Sequence, residues 1–284
     1  MTTIMNGRLL AEEMQEKLRL KIAQLKEKQL VPGLVVLLVG DDLASQTYVR
    51  NKSITAEKLG INSQTIHFPS SITEAALLKE VNKYNHDDRY HGILVQLPLP
   101  GHIDEEKVLL AIDPKKDVDG FHPLNMGKLF LGKPETIPCT PYGIMKLLEA
   151  YQVKIAGKQA VVIGRSNIVG KPMAQLLLSE NATVTIAHSN THNLTALTSQ
   201  ADILISAVGR ADFITRDMVK EQAVVVDVGI NRDANGKLTG DVDFEQVAPV
   251  TSFITPVPKG VGPMTITMLM EQTVRACQKQ EFDK

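Results

Sequence analysis

A glycine-containing loop in the second half of the chain has the composition of a phosphate-binding turn. Residues 160–163 are apolar and mostly β-branched, and Gly164-Arg-Ser-Asn-Ile-Val-Gly170 joins them to a helical pattern opened by Pro172. A strand, a short loop and a helix in this order present free backbone N–H groups to a phosphate. The strict Gly-x-Gly-x-x-Gly spacing is absent, so an ordinary strand-to-helix turn is the alternative interpretation.

The strand that follows this loop bears on which dinucleotide would bind. Residues 182–188 are predicted to form that strand, and NAD-binding folds place an acidic residue about 20 residues after the loop for the ribose hydroxyls. Here the strand ends in His188-Ser189-Asn190, without a carboxylate. A carboxylate would repel a 2′-phosphate, whereas the Arg165 guanidinium and the Ser189 hydroxyl can bind one. The sequence therefore favours NADP.

Polar residues in the first half of the chain occupy similar positions. Tyr48 and Lys52 are four residues apart on a predicted helix and share one face. Gln96 and Pro98 end an apolar strand, at the edge where parallel sheets bind ligands, and Lys116-Asp-Val-Asp-Gly-Phe121 adds two carboxylates from a loop. The structural alternatives are a solvated Tyr/Lys pair, a strand-end cap and an Asp-rich turn.

Strands and helices alternate along the chain and must position these residues. In the first half, the helical stripe over 12–29 is followed by a helix that Asp41 or Asp42 caps and Gly60 ends. The remaining elements predicted in this half are strands 34–39, 62–68 and 92–99 and helix 73–85. This order predicts a β-α-β parallel sheet. The Pro- and Gly-rich segment 113–138 is the expected region of the boundary between two lobes.

The second half continues the alternation, which predicts a Rossmann-type, doubly wound α/β domain. Its predicted elements are helices 140–151, 173–180 and 263–279 and strands 160–163, 182–188, 202–208, 223–228 and 252–255. We therefore expect an α/β protein of two lobes, residues 1–121 and 122–284, separated by a cleft. The last helix is expected to return to the first lobe.

Composition excludes several functional classes. The 284 residues carry a net charge of −1, without the basic patch of a nucleic-acid binder. No apolar run approaches the ~20 residues that span a membrane, and no signal peptide is recognisable, so a cytoplasmic protein is expected. The two cysteines, far apart in sequence, are expected to be small buried hydrophobes. Neither a metal site nor a serine-hydrolase elbow is predicted.

Five ordered motifs together carry a family resemblance. They are Tyr48-Val-Arg-Asn-Lys52, Val95-Gln-Leu-Pro98, Lys116-Asp-Val-Asp-Gly120, Gly164-Arg-Ser-Asn-Ile-Val-Gly170 and Pro256-Val-Pro-Lys-Gly-Val-Gly-Pro-Met-Thr265. In this order and spacing, the chain resembles the bifunctional methylenetetrahydrofolate dehydrogenase/methenyltetrahydrofolate cyclohydrolase family over nearly its whole length. The resemblance implies NADP-dependent oxidation of 5,10-methylenetetrahydrofolate and hydrolysis of the methenyl product to 10-formyltetrahydrofolate. It also implies a cytoplasmic homodimer that supplies purine, methionine and histidine biosynthesis.

The resemblance further implies roles for individual residues of the folate site. The lysine matching Lys52 manages proton transfer in hydrolysis, and the residue matching Gln96 orients that lysine by a hydrogen bond. Tyr48 would stack on the folate ring, Asp119 would accept hydrogen bonds from the pterin, and Ser45 would add a contact. Pro98 belongs to the same substrate site.

On the cofactor side, the family pattern maps onto a second set of residues. Gly164, Arg165 and Ser166 would lie at the phosphates, Ser189 near the 2′-phosphate and Ile230 by the nicotinamide. Two alternatives to this assignment are a dehydrogenase that has lost hydrolysis and a non-catalytic dinucleotide-binding regulator. The presence of the four folate-site residues, Tyr48, Lys52, Gln96 and Asp119, argues against both.

The last of the five motifs departs from the family pattern at one position. The family usually reads Pro-Gly-Gly-Val-Gly-Pro, and Lys259 stands here for the first of those glycines. If that position requires a positive φ, we expect either strain at the lysine or a shifted loop.

Overall fold

The computed structural model describes residues 1–232 and 236–282. The strands are β1 (Thr3–Ile4), β2 (Gly33–Val39), β3 (Asn62–Phe68), β4 (Gly92–Val95), β5 (Gln159–Ile163), β6 (Thr183–Ala187), β7 (Ile203–Ser206), β8 (Val224–Asp227), β9 (Asn231–Arg232), β10 (Leu238–Thr239) and β11 (Phe253–Ile254). The α-helices are α1 (Gly7–Glu27), α2 (Leu43–Leu59), α3 (Glu74–Asn85), α4 (Glu105–Ala111), α5 (Pro123–Phe130), α6 (Cys139–Ala150), α7 (Gly170–Ser179), α8 (Leu194–Thr198), α9 (Phe244–Val247) and α10 (Val261–Phe282).

Two compact units divide the chain, and neither is one continuous stretch. We call them the N-terminal unit, formed by residues 13–139 and 266–282, and the C-terminal unit, formed by residues 1–12 and 140–265. The chain thus passes from one unit to the other after residues 12, 139 and 265. The expected domain boundary at residues 121–122 stays a prediction.

The N-terminal unit is built on a parallel sheet in the order β3-β2-β4. Strand β2 is buried along its whole length, which is typical of a parallel strand covered on both faces. Helix α2 begins after Asp42, whose carboxylate accepts the backbone N–H of Ser45, and it ends at Gly60, where φ is +82°. Both predicted ends of this helix are therefore confirmed.

The strand predicted over residues 92–99 is wrong beyond Val95, where β4 ends. The backbone N–H of Gln96 still donates to the Leu37 carbonyl oxygen of β2 at 2.9 Å. After it, Pro98 and Pro100 lack the N–H groups that a ladder needs, so the pairing stops. This early end places the Gln96 side chain at the carboxyl edge of the sheet.

The segment 113–138, expected only as a boundary region, also contains a helix. Helix α5 begins after His122, whose ring Nδ1 accepts the N–H of Leu124, and Pro123 occupies its first turn. Histidine is not among the common capping residues, so its role as the N-cap was not recognisable from the sequence.

The C-terminal unit contains a sheet in the order β1-β11-β8-β7-β5-β6, all of it parallel, and the antiparallel pair β9-β10. The strands β5 to β8 agree with the predicted alternation, with shorter ends. The pairing of the N-terminal residues Thr3 and Ile4 with Phe253 and Ile254 was not predicted. The strand order reverses beside β5, which is where such sheets open a ligand crevice at their carboxyl ends.

Lys259 lies in a turn that does require the left-handed backbone region. Its φ is +84°, a conformation that costs a residue with a Cβ atom roughly 1–2 kcal/mol. The carbonyl oxygen of Lys259 accepts the N–H of Arg8 at 3.0 Å. The loop therefore keeps a glycine-like geometry, and the expected strain is located at this lysine.

Candidate active site

The side chains of Lys52 and Gln96 meet at the carboxyl edge of the three-stranded sheet. Lys52 Nζ donates to Gln96 Oε1 at 3.1 Å, and Gln96 Nε2 donates to the Leu97 carbonyl oxygen at 2.7 Å. The bond from Gln96 Nε2 to Leu97 fixes the orientation of the amide, so that its oxygen faces Lys52. Lys52 Nζ also lies 4.4 Å from the centre of the Tyr48 ring, one turn earlier on α2. The three predicted side chains therefore form one cluster.

Lys52 is unusual because its side chain is only 4% exposed. A charged ammonium loses its hydration when it is buried, so burial lowers the pKa of Lys52 below its ordinary value. The negative charge of Asp119 opposes this shift by favouring the ammonium. Burial thus moves the pKa of Lys52 towards physiological pH, which favours the neutral amine.

Asp119 is the acidic partner of this cluster and is half-buried. Removal from water raises the pKa of its carboxyl group, and the nearby Lys52 charge counteracts part of that increase. The carboxylate of Asp117 adds repulsion and raises the pKa of Asp119 further. The Asp119 carboxyl group and the Lys52 amine therefore share one site, where burial disfavours the charged form of each.

The two carboxylates of the Lys116–Phe121 segment have different functions in the fold. Asp117 is buried and its oxygens accept the backbone N–H groups of Gly120, Phe121 and His122, at 2.8 to 3.2 Å. It also accepts a hydrogen bond from the Asn125 side chain at 2.8 Å. Asp117 therefore holds the loop together, whereas Asp119 lies beside Lys52 and Cys139.

Cys139 also belongs to this cluster, although its place there was not predicted from the sequence. Its side chain is 1% exposed, as expected for a buried cysteine, but its thiol donates to the Val118 carbonyl oxygen at 3.3 Å. Burial and the neighbouring Asp119 raise the pKa of the thiol well above its ordinary value. The expected role as a small buried hydrophobe is therefore incomplete. The polar contacts were not predicted because no sequence pattern links residue 139 to residue 119.

Ser45 and Pro98 lie at the ends of the elements that carry this cluster. Ser45 is buried in the first turn of α2, seven residues before Lys52. Two helical turns place these residues on the same side of the helix. Pro98 is exposed and follows a cis peptide bond with Leu97. Their contacts with a substrate stay predictions.

The glycine loop in the C-terminal unit is closely packed at both of its glycines. A Cβ atom at Gly164, where φ is +129°, would lie 2.5 Å from the Ala207 carbonyl oxygen. A Cβ atom at Gly170 would lie 2.1 Å from the carbonyl oxygen of Gly164. Side chains are therefore excluded where the strand, loop and first helical turn approach each other, as in dinucleotide-binding folds.

The polar groups of this loop divide into two kinds. The Ser166 hydroxyl accepts the N–H groups of Val169 at 3.1 Å and Gly170 at 3.3 Å, at the start of α7. It thus has a structural bond besides its predicted place at the phosphates. Arg165 and Ser189 are exposed, the latter just after β6. The guanidinium of Arg165 and the hydroxyl of Ser189 can both bind a 2′-phosphate, and residues 188–190 include no carboxylate that would repel it. The loop is therefore compatible with NADP.

Ile230 lies on a segment that two buried carboxylates support. Asp241 accepts backbone N–H groups of residues 208–210, at 2.8 to 3.3 Å, and the Asn231 side-chain amide at 3.0 Å. Asp227 accepts the N–H of Gly229 at 2.9 Å, and burial raises the pKa of Asp227 to about 7. Ile230 itself is 62% exposed and available to a ligand.

Residues 1–232 and 236–282 contain neither a helix that could span a membrane nor a cluster of side chains that could hold a metal ion. Every helix there is either too short or too polar to cross a bilayer. No three His, Cys, Asp or Glu side chains in this part of the chain are grouped in a way that would hold a metal ion.

Comparisons with known proteins agree with this organisation. Residues 5–119 match the catalytic domain of tetrahydrofolate dehydrogenase/cyclohydrolase, and residues 138–281 match its NAD(P)-binding domain. The bifunctional protein FolD of Enterococcus faecalis is 63% identical over 281 residues, which cover 99% of this chain and 100% of the relative.

Solved structures extend the similarity to three dimensions. The bifunctional FolD methylenetetrahydrofolate dehydrogenase/cyclohydrolase from Campylobacter jejuni has a TM-score of 0.97 and 51% identity, covering 99% of this chain and all of that one. The FolD enzyme of Trypanosoma brucei, solved with NADP cofactor and inhibitor, has a TM-score of 0.95 and 37% identity, covering 99% of this chain and 98% of that one. The chain therefore belongs to the tetrahydrofolate dehydrogenase/cyclohydrolase family.

Proposed function

We propose that Lys52, Gln96, Tyr48 and Asp119 carry the folate chemistry of this chain. The chain is a bifunctional enzyme that oxidises 5,10-methylenetetrahydrofolate with NADP and hydrolyses 5,10-methenyltetrahydrofolate to 10-formyltetrahydrofolate. The observation that best supports the residue assignment is the buried amine of Lys52, bonded to Gln96 at 3.1 Å beside the Asp119 carboxylate.

Lys52 is the proposed acid–base group of hydrolysis. A water molecule that attacks the methenyl carbon must lose a proton, and the ring nitrogen that departs must gain one. A buried lysine with a lowered pKa can take up the first proton as an amine and deliver the second as an ammonium. Gln96 keeps Nζ directed into the site through its amide oxygen.

The remaining residues of the cluster bind and orient the folate. The Tyr48 ring stacks against the folate ring, and the Asp119 carboxylate accepts hydrogen bonds from the pterin amino and ring N–H groups. Ser45 and Pro98 complete the substrate site at the N-terminus of α2 and after β4. Since both reactions use the same bound ring system, these contacts serve both.

NADP, when bound, accepts the hydride that leaves the methylene carbon. On the side of the protein, Gly164 permits the backbone to approach the cofactor, and Arg165 and Ser166 contact its phosphates, with the Arg165 guanidinium donating to the 2′-phosphate. Ser189 lies by the 2′-phosphate and Ile230 by the nicotinamide half. Oxidation then requires alignment of the two reactants and no obligatory proton transfer from the protein.

An assay of the whole protein tests the two activities together. Methylenetetrahydrofolate and NADP are mixed with the enzyme, and NADPH and the methenyl compound are followed separately by ultraviolet absorbance. If NADPH forms and the methenyl compound accumulates, disappearing only at its spontaneous hydrolysis rate, the result would favour a dehydrogenase without cyclohydrolase activity. No turnover would favour the dinucleotide-binding regulator.

Arg165→Ala is expected to weaken NADP binding much more than NAD binding. A charge-assisted hydrogen bond of ~1.5–3 kcal/mol corresponds to roughly tenfold or more in affinity, and NAD lacks the 2′-phosphate that accepts it. The measurement is KM for both cofactors. Lys220→Ala is the control, because Lys220 pairs with Asp202 at 2.7 Å, next to the start of β7 and away from the carboxyl edge. An unchanged NADP/NAD preference would remove Arg165 from the site.

We also propose that the enzyme is a cytoplasmic homodimer that pairs through the C-terminal unit and supplies purine, methionine and histidine biosynthesis. Among the described strands, β6 is one of the two edge strands of the six-stranded sheet, and Ile186 on it is 39% exposed. Leu178 of α7, which precedes β6, is 55% exposed. An edge strand beside apolar side chains is a surface that pairs readily with a second copy.

Light scattering at micromolar concentration is expected to give twice the mass of one chain. Ile186→Lys places a charge on the proposed edge and should shift the mass towards that of one chain. A single-chain mass for the unmodified protein would contradict the dimer, and a dimeric mass of the variant would contradict its proposed surface.

A further inference from the structure

Gln272 of α10 is a buried amide whose hydrogen-bonding groups are all engaged. Its side chain is 3% exposed. Nε2 donates to the Val118 carbonyl oxygen at 2.7 Å and to the Ile137 carbonyl oxygen at 2.9 Å, and Oε1 accepts the Ile137 N–H at 2.8 Å. Nε2 also lies 3.3 Å from Cys139 Sγ. One side chain of α10 thus bridges two segments that lie 154 and 135 residues before it in the sequence.

Both of these segments border Asp119. Val118 immediately precedes it, and the Val118 carbonyl oxygen also accepts the Cys139 thiol. On the other side, the backbone of Ile137 packs against Gly120, where φ is +80° and a Cβ atom would lie 2.7 Å from the Ile137 carbonyl carbon. The Asp119 backbone is therefore held between the Val118 peptide and the residue 137–139 segment, which Gln272 ties together.

We infer that Gln272 is a positioning residue that acts through Asp119 to set folate affinity in both reactions. The inference rests on the proposed role of Asp119 as the pterin acceptor. A side-chain amide is suited to this task because it donates to two carbonyl oxygens and accepts from an N–H at the same time. If the amide is lost, the buried Val118 carbonyl oxygen and the partly buried N–H and carbonyl oxygen of Ile137 each lose a partner, and the Asp119 segment is free to shift.

Gln272→Met tests this inference, because methionine has similar length but no amide. We expect KM for methylenetetrahydrofolate and for methenyltetrahydrofolate to rise together, about tenfold, since small displacements of a binding group have large effects. KM for NADP should change by less than about twofold. If Gln272→Met does not fold, Gln272→Asn retains the amide on a shorter side chain and is measured instead.

Gln280→Met is the matched control on the same helix. Gln280 Nε2 likewise bridges two carbonyl oxygens, of His91 at 2.9 Å and Lys115 at 3.0 Å, but neither acceptor adjoins Asp119. We expect a loss of thermal stability in both variants and a change in folate KM only in Gln272→Met. Equal changes of folate KM in the two variants would overturn the inference.

A double-mutant cycle separates this inference from the role of Asp119 itself. In the Asp119→Ala background, Gln272→Met should raise folate KM by less than about twofold, because its effect passes through the missing carboxylate. A full tenfold increase in that background would overturn the inference. If Asp119→Ala alone leaves folate KM unchanged, the proposed role of Asp119 fails, whatever the result for Gln272.

Discussion

Lys52→Met abolishes cyclohydrolase activity and leaves measurable NADP-dependent dehydrogenase activity, with methenyltetrahydrofolate accumulating: this is the expected result of removing the amine. Hydrolysis requires a proton to leave the attacking water and another to reach the ring nitrogen, and a positioned acid–base group contributes ~10²- to 10⁴-fold to such a step. Oxidation leaves a cation that the adjacent folate nitrogens stabilise, so it does not need this group.

Methionine is a suitable substitution because it fills the buried site of Lys52 without a titratable atom. The residue is only 4% exposed, so a shorter side chain would add a cavity to the loss of the amine. Gln96 would lose one hydrogen bond but retain its bond to the Leu97 carbonyl oxygen. The cluster should therefore keep its shape while losing its base.

The assay begins once from methylenetetrahydrofolate with NADP and once from methenyltetrahydrofolate, with correction for spontaneous hydrolysis. Lys58→Met is the control, since Lys58 is an exposed lysine near the end of the same helix. Hydrolysis by the Lys52 variant at the normal rate would contradict the assignment. Equal loss of both activities would make Lys52 a residue that positions the substrate.

Asp119→Ala is expected to depress both activities together. The carboxylate is the proposed acceptor for the pterin N–H groups, and a hydrogen bond to a charged group contributes ~1.5–3 kcal/mol, or roughly tenfold to over a hundredfold in affinity. Its loss also removes the negative charge that favours the ammonium of Lys52, so the pKa of Lys52 should fall further. KM for both folates should rise while KM for NADP stays the same.

Steady-state kinetics with each folate separates a binding role from a catalytic one. Asp88→Ala is the control, because Asp88 is an exposed carboxylate of the same unit. If only one of the two activities falls, Asp119 takes part in that reaction step rather than in binding. Thermal unfolding should change little, in contrast to Asp117→Ala, which would leave three loop N–H groups without their acceptor.

Local patterns in the sequence were sufficient for the elements that carry the site. Strand β3 begins and ends at the predicted residues, and α2 and α3 begin after the predicted caps Asp42 and Thr73. These features depend on hydrogen bonds between residues a few positions apart, so their residue types are visible in a short window. The shared face of Tyr48 and Lys52 follows from the same helical period.

Local patterns were insufficient where the chain departs from regular structure. The apolar run over residues 92–99 predicted a strand to its end, but the prolines stop β4 at Val95. In the proline- and glycine-rich segment 113–138, α5 was not predicted because its N-cap is His122, an uncommon capping residue. In both cases the residue types were interpreted by their average preference, whereas individual hydrogen bonds decided the outcome: the N–H groups that Pro98 and Pro100 lack, and the bond from the Leu124 N–H to the His122 ring.

The sequence by itself determined the α/β class, favoured NADP as the cofactor and, through ordered motifs, identified the enzyme family. The family resemblance already implied that Gln96 orients Lys52 and that Asp119 accepts from the pterin. The tertiary structure alone showed that Asp117 bonds the backbone of its own loop and that Cys139 neighbours Asp119. It also brought Gln272 to Val118, 154 residues away. Contacts at such separations depend on how a whole unit packs, because no local hydrogen bond or periodic pattern links the residues that form them.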